Sequence, residues 1–191
     1  MYFHIYNRGV NGQDLFFEER NYAYFLSKYA RFVHGYVKTF AYCLLKNHFH
    51  LLIQVRDEDE ILKLITKNKD KPLYWHVSNA FSSFIKSYSI TINDTYGRTG
   101  QLFEEPFKRK EVNGETYFSS LVAYIHTNPQ KHGLVKDFRD YPYSSYHAHL
   151  SDKPTKLSRN KVLEWFGGKR GYIDFHEANS FGSDSEDWML E

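Results

Sequence analysis

Residues 44–55, "LLKNHFHLLIQV", place His48 and His50 one residue apart inside an apolar run. On a strand, alternate side chains share a face. Both imidazoles would then project to one side, and Phe49, Leu51 and Ile53 to the other. Two imidazoles at that spacing suit a divalent metal ion; the plainer reading is a pair of half-exposed strand histidines. Downstream, "ETYFSSLVAYIHTN" carries helical spacing. Phe118, Leu121, Val122 and Ile125 form its apolar stripe. Tyr124 and Asn128, one turn apart, share one flank with Tyr117 above them, and His126 falls on the other. A phenol and an amide oxygen so placed could bring a nucleophile and a third ligand to an ion on the strand. Neighbours four apart are commonplace on helices, so spacing permits this pair without selecting it.

Other metal chemistries fit these residues less well. A metallo-β-lactamase-like site wants H-x-H-x-D-H, whereas Leu51, Leu52 and Ile53 follow here. A cupin wants a glutamate shortly after the second histidine, where Ile53, Gln54 and Val55 stand. No C-x-x-C exists for a structural zinc, since Cys43 is the single cysteine.

These residues need elements to hold them. "YFHIYN" (2–7) reads as a strand and "RGVNGQD" (8–14) as a glycine-bearing loop. Tyr22, Phe25, Leu26, Tyr29, Phe32 and Val33 follow helical spacing up to Gly35. Residues 36–45 and 48–55 read as strands joined at Lys46-Asn47, a hairpin whose Asn tolerates positive φ. "RDEDE" opens a charged connection to a helix over roughly 74–92 with Val77, Phe81, Phe84, Ile85 and Tyr88 on one face. "FKRKEV" (107–112) is a short strand with Lys108 and Lys110 on one face. The next helix is predicted to stop at Pro129. The order β-α-β-β-α-β-α is the split βαβ, ferredoxin-like plan of an α+β protein, an antiparallel central sheet flanked by helices. Residues 1–150 would form the main domain. Residues 151–191 would add an extension with a short helix, "KLSRNKVLEWFGG", and a loose tail, "NSFGSDSEDWMLE".

At 191 residues, 41% hydrophobic and 25% charged, the chain is globular rather than disordered. Net charge is +2, which excludes a whole-chain argument for nucleic acid. Residues 151–191 hold six Lys/Arg against eight Asp/Glu, leaving 19 against 15 in residues 1–150. A mildly basic body with an acidic tail leans toward a polyanion. Sixteen Tyr, sixteen Phe and three Trp are a surplus of rings, and any on the surface would suit stacking on bases. One cysteine in an apolar strand favours a reducing cytoplasm. The absence of a long apolar run or a signal-peptide layout predicts a soluble protein with no membrane partner.

Taken together, "NHFHLL" and "AYIHTNP" resemble the IS200-like single-tyrosine transposases of the HUH endonuclease superfamily, and most of all the REP-associated tyrosine transposases. The resemblance runs over about residues 5 to 168. "NRGVNGQDLFFEERNYAYFL" is similar to the family's opening and "YGRTGQLFEEPFKRKEV" to its middle. "YIHTNPQKHGLVKDFRDYPYSSYHAHL" is similar to the segment that contains and follows the nucleophile, and "VLEWFG" to a terminal motif. Two departures stand out: Lys46 where relatives commonly carry Pro, and "NPQKHG" in place of "NPVRAG".

The resemblance implies His48 and His50 as metal ligands, Tyr124 as nucleophile and Asn128 as third ligand, its geometry burdened by the following Pro129. It implies a divalent cofactor, Mg2+ or Mn2+, with Mn2+ binding at least as tight because imidazole is unusual company for Mg2+. The implied reaction is cleavage and rejoining of single-stranded, hairpin-bearing DNA through a 5′-phosphotyrosine, by a monomer or a homodimer. Arg8, Lys86, Arg98, Lys108, Arg109 and Lys110 are the candidates for phosphate contacts, with a solvated charged face as the alternative. Tyr96, Phe103, Tyr143 and Tyr146 are candidates for base stacking, with core packing as theirs. Two other functions compete: a hairpin-DNA-binding protein that keeps the fold without cutting, and a small-molecule metalloenzyme, which would leave the Tyr124–Asn128 flank unused.

Overall fold

The computed structural model describes residues 1–104 and 106–180. The tail predicted to be loose falls, from residue 181 onward, outside them. Four strands, β1 (Tyr2–Arg8), β2 (Val37–Leu44), β3 (His48–Val55) and β4 (Lys108–Val112), form one antiparallel sheet in the order β2-β3-β1-β4. The predicted split βαβ plan and α+β class are both present.

The helix α1 (Glu19–Phe32) begins where Asn21 folds back, its Oδ1 accepting the backbone N–H of Glu18 at 3.0 Å and of Phe17 at 2.8 Å. Its buried Tyr22, Phe25 and Tyr29 pack on Phe81, Phe84 and Tyr88 of α3 (Leu73–Thr95) and on Phe49, Leu51 and Ile53 of the sheet. The Phe25 and Phe84 rings meet at 4.7 Å. On the opposite face Phe40, Ala41, Cys43 and Leu52 meet Phe118, Leu121, Val122 and Ile125 of α4 (Glu115–Lys131). A sheet covered on both sides explains why β3 reads as a nearly continuous apolar run.

Several elements differ from the sequence prediction. The charged connection contains a short helix, α2 (Glu58–Leu62). Asn47 does not adopt positive φ, which among the described non-glycine residues falls at Asn11 and Asn68. The β2–β3 turn is instead held from outside: Lys46 O accepts from the N–H of Leu15 and Phe16, and Asn47 O from that of Gly9. Contacts distant in sequence replace the local turn preference. Helix α4 does not stop at Pro129 but carries it inside. Proline removes one N–H near the helix end, where packing on both sides of α4 sustains the helix.

After α4, residues 143–145 run along the free edge of β2, with Leu44 N–H donating to Tyr143 O and Ser145 N–H to Tyr42 O. Three helices follow: α5 (Tyr146–Leu150) in a stretch predicted as turn, α6 (Arg159–Trp165) and α7 (Lys169–Ser180). The predicted single terminal helix is thus a pair. Helix α7 packs on α4 through buried Tyr172 and His176. His126 Nδ1 lies 2.8 Å from His176 Nε2, and His126 Nε2 lies 2.7 Å from Ser145 Oγ. The aromatic surplus goes mainly into these two cores, leaving Phe17 and Tyr74 as exposed rings among the described residues. No described helix is long and apolar enough to cross a membrane.

Candidate active site

Strand register decides which residues share the face toward α4. Directly paired residues in an antiparallel sheet lie on the same side. His50 pairs with Tyr6, His48 with Arg8, and Leu52 with His4. Lys108 pairs with Tyr6 and Lys110 with His4. One face therefore carries His48, His50, His4, Tyr6, Arg8, Lys108 and Lys110. The two strand histidines are not half-exposed: His48 is 8% exposed and His50 1%.

Their rings stand perpendicular, with centroids 5.2 Å apart. His50 Nδ1 lies 2.9 Å from His4 Nε2, and His48 Nδ1 lies 2.7 Å from Asn47 Oδ1. Each ring is thus held through Nδ1, and Nε2 is the atom each can present to a metal.

Helix α4 runs along this pair. The Tyr124 ring meets the His50 ring edge to face, with centroids 5.6 Å apart. Two turns on, the His132 ring meets the His48 ring at 4.9 Å. Asn128 lies midway between Tyr124 and His132 on the same helical stripe. It is 1% exposed, and among the described residues neither polar atom of its amide has a hydrogen-bond partner. A buried unsatisfied amide costs about 1–3 kcal/mol and calls for an explanation such as an ion. Among the described residues no three His, Cys, Asp or Glu side chains cluster to hold a metal. A two-imidazole set could hold an ion only with a further donor of another type, such as the buried amide oxygen of Asn128.

A cleft of about 280 Å³ opens beside the histidines, lined among others by Tyr6, Arg8, Asn47, Glu104, Lys108 and His132. Arg8 Nε donates to Glu104 at 2.6 Å across it, and Lys108 Nζ lies 5.8 Å from the Tyr6 ring centre. Lys131 Nζ lies 5.3 Å from the Tyr124 ring centre and Lys110 Nζ 5.7 Å from that of Tyr117. Lys110 and Lys131 thus put positive charge beside two tyrosine rings of α4, while Lys108 and the Glu104-paired Arg8 line the cleft next to the histidines.

Other predicted residues lie elsewhere. Arg109 pairs with Ile5 and lines a groove on the opposite sheet face with Phe3, Val77 and Phe81. Lys86 is on α3, beside a groove on that same side. Arg98 is engaged at the surface, donating to Gln13 and, at 3.3 Å, to Asn93 Oδ1. Phe103 and Tyr146 are core residues, Tyr143 is stacked on Tyr22 at 3.5 Å, and Tyr96 on Phe17 at 4.6 Å. Phe103 and Tyr146 are closed to a base by burial, while Tyr96 and Tyr143 are partly buried with one face already stacked. Sequence reasoning missed His4, Tyr6 and His132. The even spacing of His4 and Tyr6 marks a shared face, but only the β1–β3 register shows that it is the face of His48 and His50.

No protein-family model matches the chain. It is 27% identical over 110 residues to a protein of Haemophilus influenzae named as a REP-associated tyrosine transposase; the match spans 58% of this chain and 59% of that relative. Among solved structures it is similar to that of a REP-associated tyrosine transposase bound to a REP hairpin, with a TM-score of 0.53, 18% identity and coverage of 80% of this chain and 81% of the other. At that identity the likeness is one of fold. By its ordered motifs, by a curated relative and by its architecture, the chain resembles the REP-associated tyrosine transposases and shares their fold.

Proposed function

We propose that this protein is a metal-dependent transesterase that nicks and rejoins single-stranded, hairpin-bearing DNA in the cytoplasm, with Tyr124 as nucleophile. The observation that carries the reading is the stripe Tyr124–Asn128–His132 lying along His50 and His48, with ring contacts at both ends. A protein that merely bound hairpins would have no use for a phenol set against two imidazoles, with a buried amide one helical turn along from it.

His48, His50 and Asn128 would hold a divalent ion, Mg2+ or Mn2+. When bound, such an ion supplies Lewis-acid polarisation of the scissile phosphate. The remaining work belongs to the chain. Arg8, Lys108 and Lys110 seat the DNA backbone on the same face. Helix α4, packed against the sheet, presents the Tyr124 oxygen for in-line attack on phosphorus. A bond forms between that oxygen and phosphorus, and the bond from phosphorus to the 3′ oxygen breaks. The phenol proton leaves to solvent, and the departing oxygen takes one up as a 3′-OH. The resulting 5′-phosphotyrosine keeps the ester energy, so a second 3′-OH can reverse the step without ATP.

The test uses labelled hairpin DNA with single-stranded flanks, incubated with the protein and Mn2+. A denaturation-resistant protein–DNA adduct is expected from the wild type and none from Tyr124→Phe, with hairpin binding retained by both. An adduct from Tyr124→Phe displaces the nucleophile. Binding without any adduct from the wild type favours a non-cleaving hairpin binder.

A further inference from the structure

The geometry points to His4 as a positioning residue that sets the tautomer and the orientation of His50, so that β1 as well as β3 builds the ion site. This rests on the proposed ion at His48, His50 and Asn128. His4 and His50 are both buried, at 4% and 1% exposure, and His4 Nε2 stands 2.9 Å from His50 Nδ1. Two neutral imidazoles can face one another at that distance only if one nitrogen carries a proton and the other does not. A His50 that offers the Nε2 lone pair to a metal must carry its proton on Nδ1. His50 Nδ1–H then donates, His4 Nε2 accepts, and the proton of His4 sits on its Nδ1.

The His4 ring is itself held in place. It stacks on Tyr6 at 4.8 Å and an interplanar angle of 30°, and lies edge to face with Tyr124 at 6.4 Å. A turn of the His4 ring would remove the acceptor from His50 and open the contact with the phenol. His48 has a different arrangement, since its acceptor is Asn47 Oδ1 from the adjacent residue. One ligand is thus oriented by its neighbour in sequence and the other by a strand more than forty residues away.

The experiment measures Mn2+ binding to the full chain by electron paramagnetic resonance, without DNA, for the wild type, His4→Phe, His4→Gln and His48→Ala. Phenylalanine keeps a ring against Tyr6 and loses the acceptor. Glutamine places an amide oxygen near the former Nε2 position. His4→Phe is expected to weaken Mn2+ binding by about 10- to 100-fold, the usual effect of losing an outer-shell partner. His4→Gln is expected to recover most of that loss. Circular dichroism and a thermal melt in EDTA report that each of the four proteins is folded. Unchanged Mn2+ affinity in His4→Phe overturns the inference, as does an equal loss in His4→Phe and His4→Gln, which would assign His4 to packing alone. Mn2+ bound as tightly by His48→Ala as by the wild type removes the ion from this face and overturns the functional reading itself.

Discussion

The Tyr124 phenol meets the His50 imidazole edge to face, ring centroids 5.6 Å apart and planes at 80°. Seventy-odd residues of chain separate them, and the contact exists because α4 covers the sheet face on which His50 stands. Asn128, His132 and the basic side chains of Arg8, Lys108, Lys110 and Lys131 belong to the same polar region in a largely apolar interface. Its consequences can be measured separately.

Removing the third donor should separate ion binding from DNA binding. Asn128→Ala is expected to weaken Mn2+ binding at least tenfold and to slow adduct formation, because two imidazoles alone hold a hard divalent ion poorly. Its stability should change little or rise, since a buried amide without a hydrogen-bond partner is deleted. Isothermal titration with Mn2+ and a thermal melt check both.

The salt dependence of DNA affinity should reveal which face the backbone crosses. Lys108→Ala and Lys110→Ala are each expected to lower the slope of log K against log salt by about 0.7–0.9. Arg109→Ala should leave it unchanged, because Arg109 lies on the far side of the sheet. Fluorescence anisotropy with a labelled hairpin at several salt concentrations measures each slope. Equal effects from all three would place the DNA along the sheet edge instead.

Stability should fall on mild acidification. Burial pushes His149 and His176 down to about 4, whereas an unfolded histidine titrates near pH 6.5. Between those values the unfolded chain binds more protons than the folded one, so stability rises with pH across the window and is lost as pH falls through it. The loss is at most about 3 kcal/mol per histidine once pH reaches 4. His176→Gln should flatten the dependence of Tm on pH between 6.5 and 4.

The core under the other sheet face should tolerate little. Phe25 is fully buried and touches the rings of Phe16, Phe49, Phe84 and Tyr88. Phe25→Ala is expected to cost about 3–5 kcal/mol by opening a cavity, measured by urea denaturation. Because α1 and α3 are not on the α4 side, any folded fraction should retain its affinity for Mn2+.

Much was legible in the amino-acid order alone, because it depends on local periodicity. Alternation put His48 and His50 on one face, helical spacing put Tyr124 and Asn128 on one flank, and the order of elements implied a four-stranded sheet of the kind observed. Tertiary structure decided what periodicity cannot carry. Strand register placed His4 against His50 and split Lys108 and Lys110 from Arg109. Packing on both sides of α4 kept the helix going past Pro129. Long-range hydrogen bonds, not the preference of Asn47, shaped the β2–β3 turn. The burial of Phe103 and Tyr146 likewise belongs to the fold. The reason is common to all: spacing along a chain defines the face on which a side chain lies, but only the pairing of distant segments defines what that face meets.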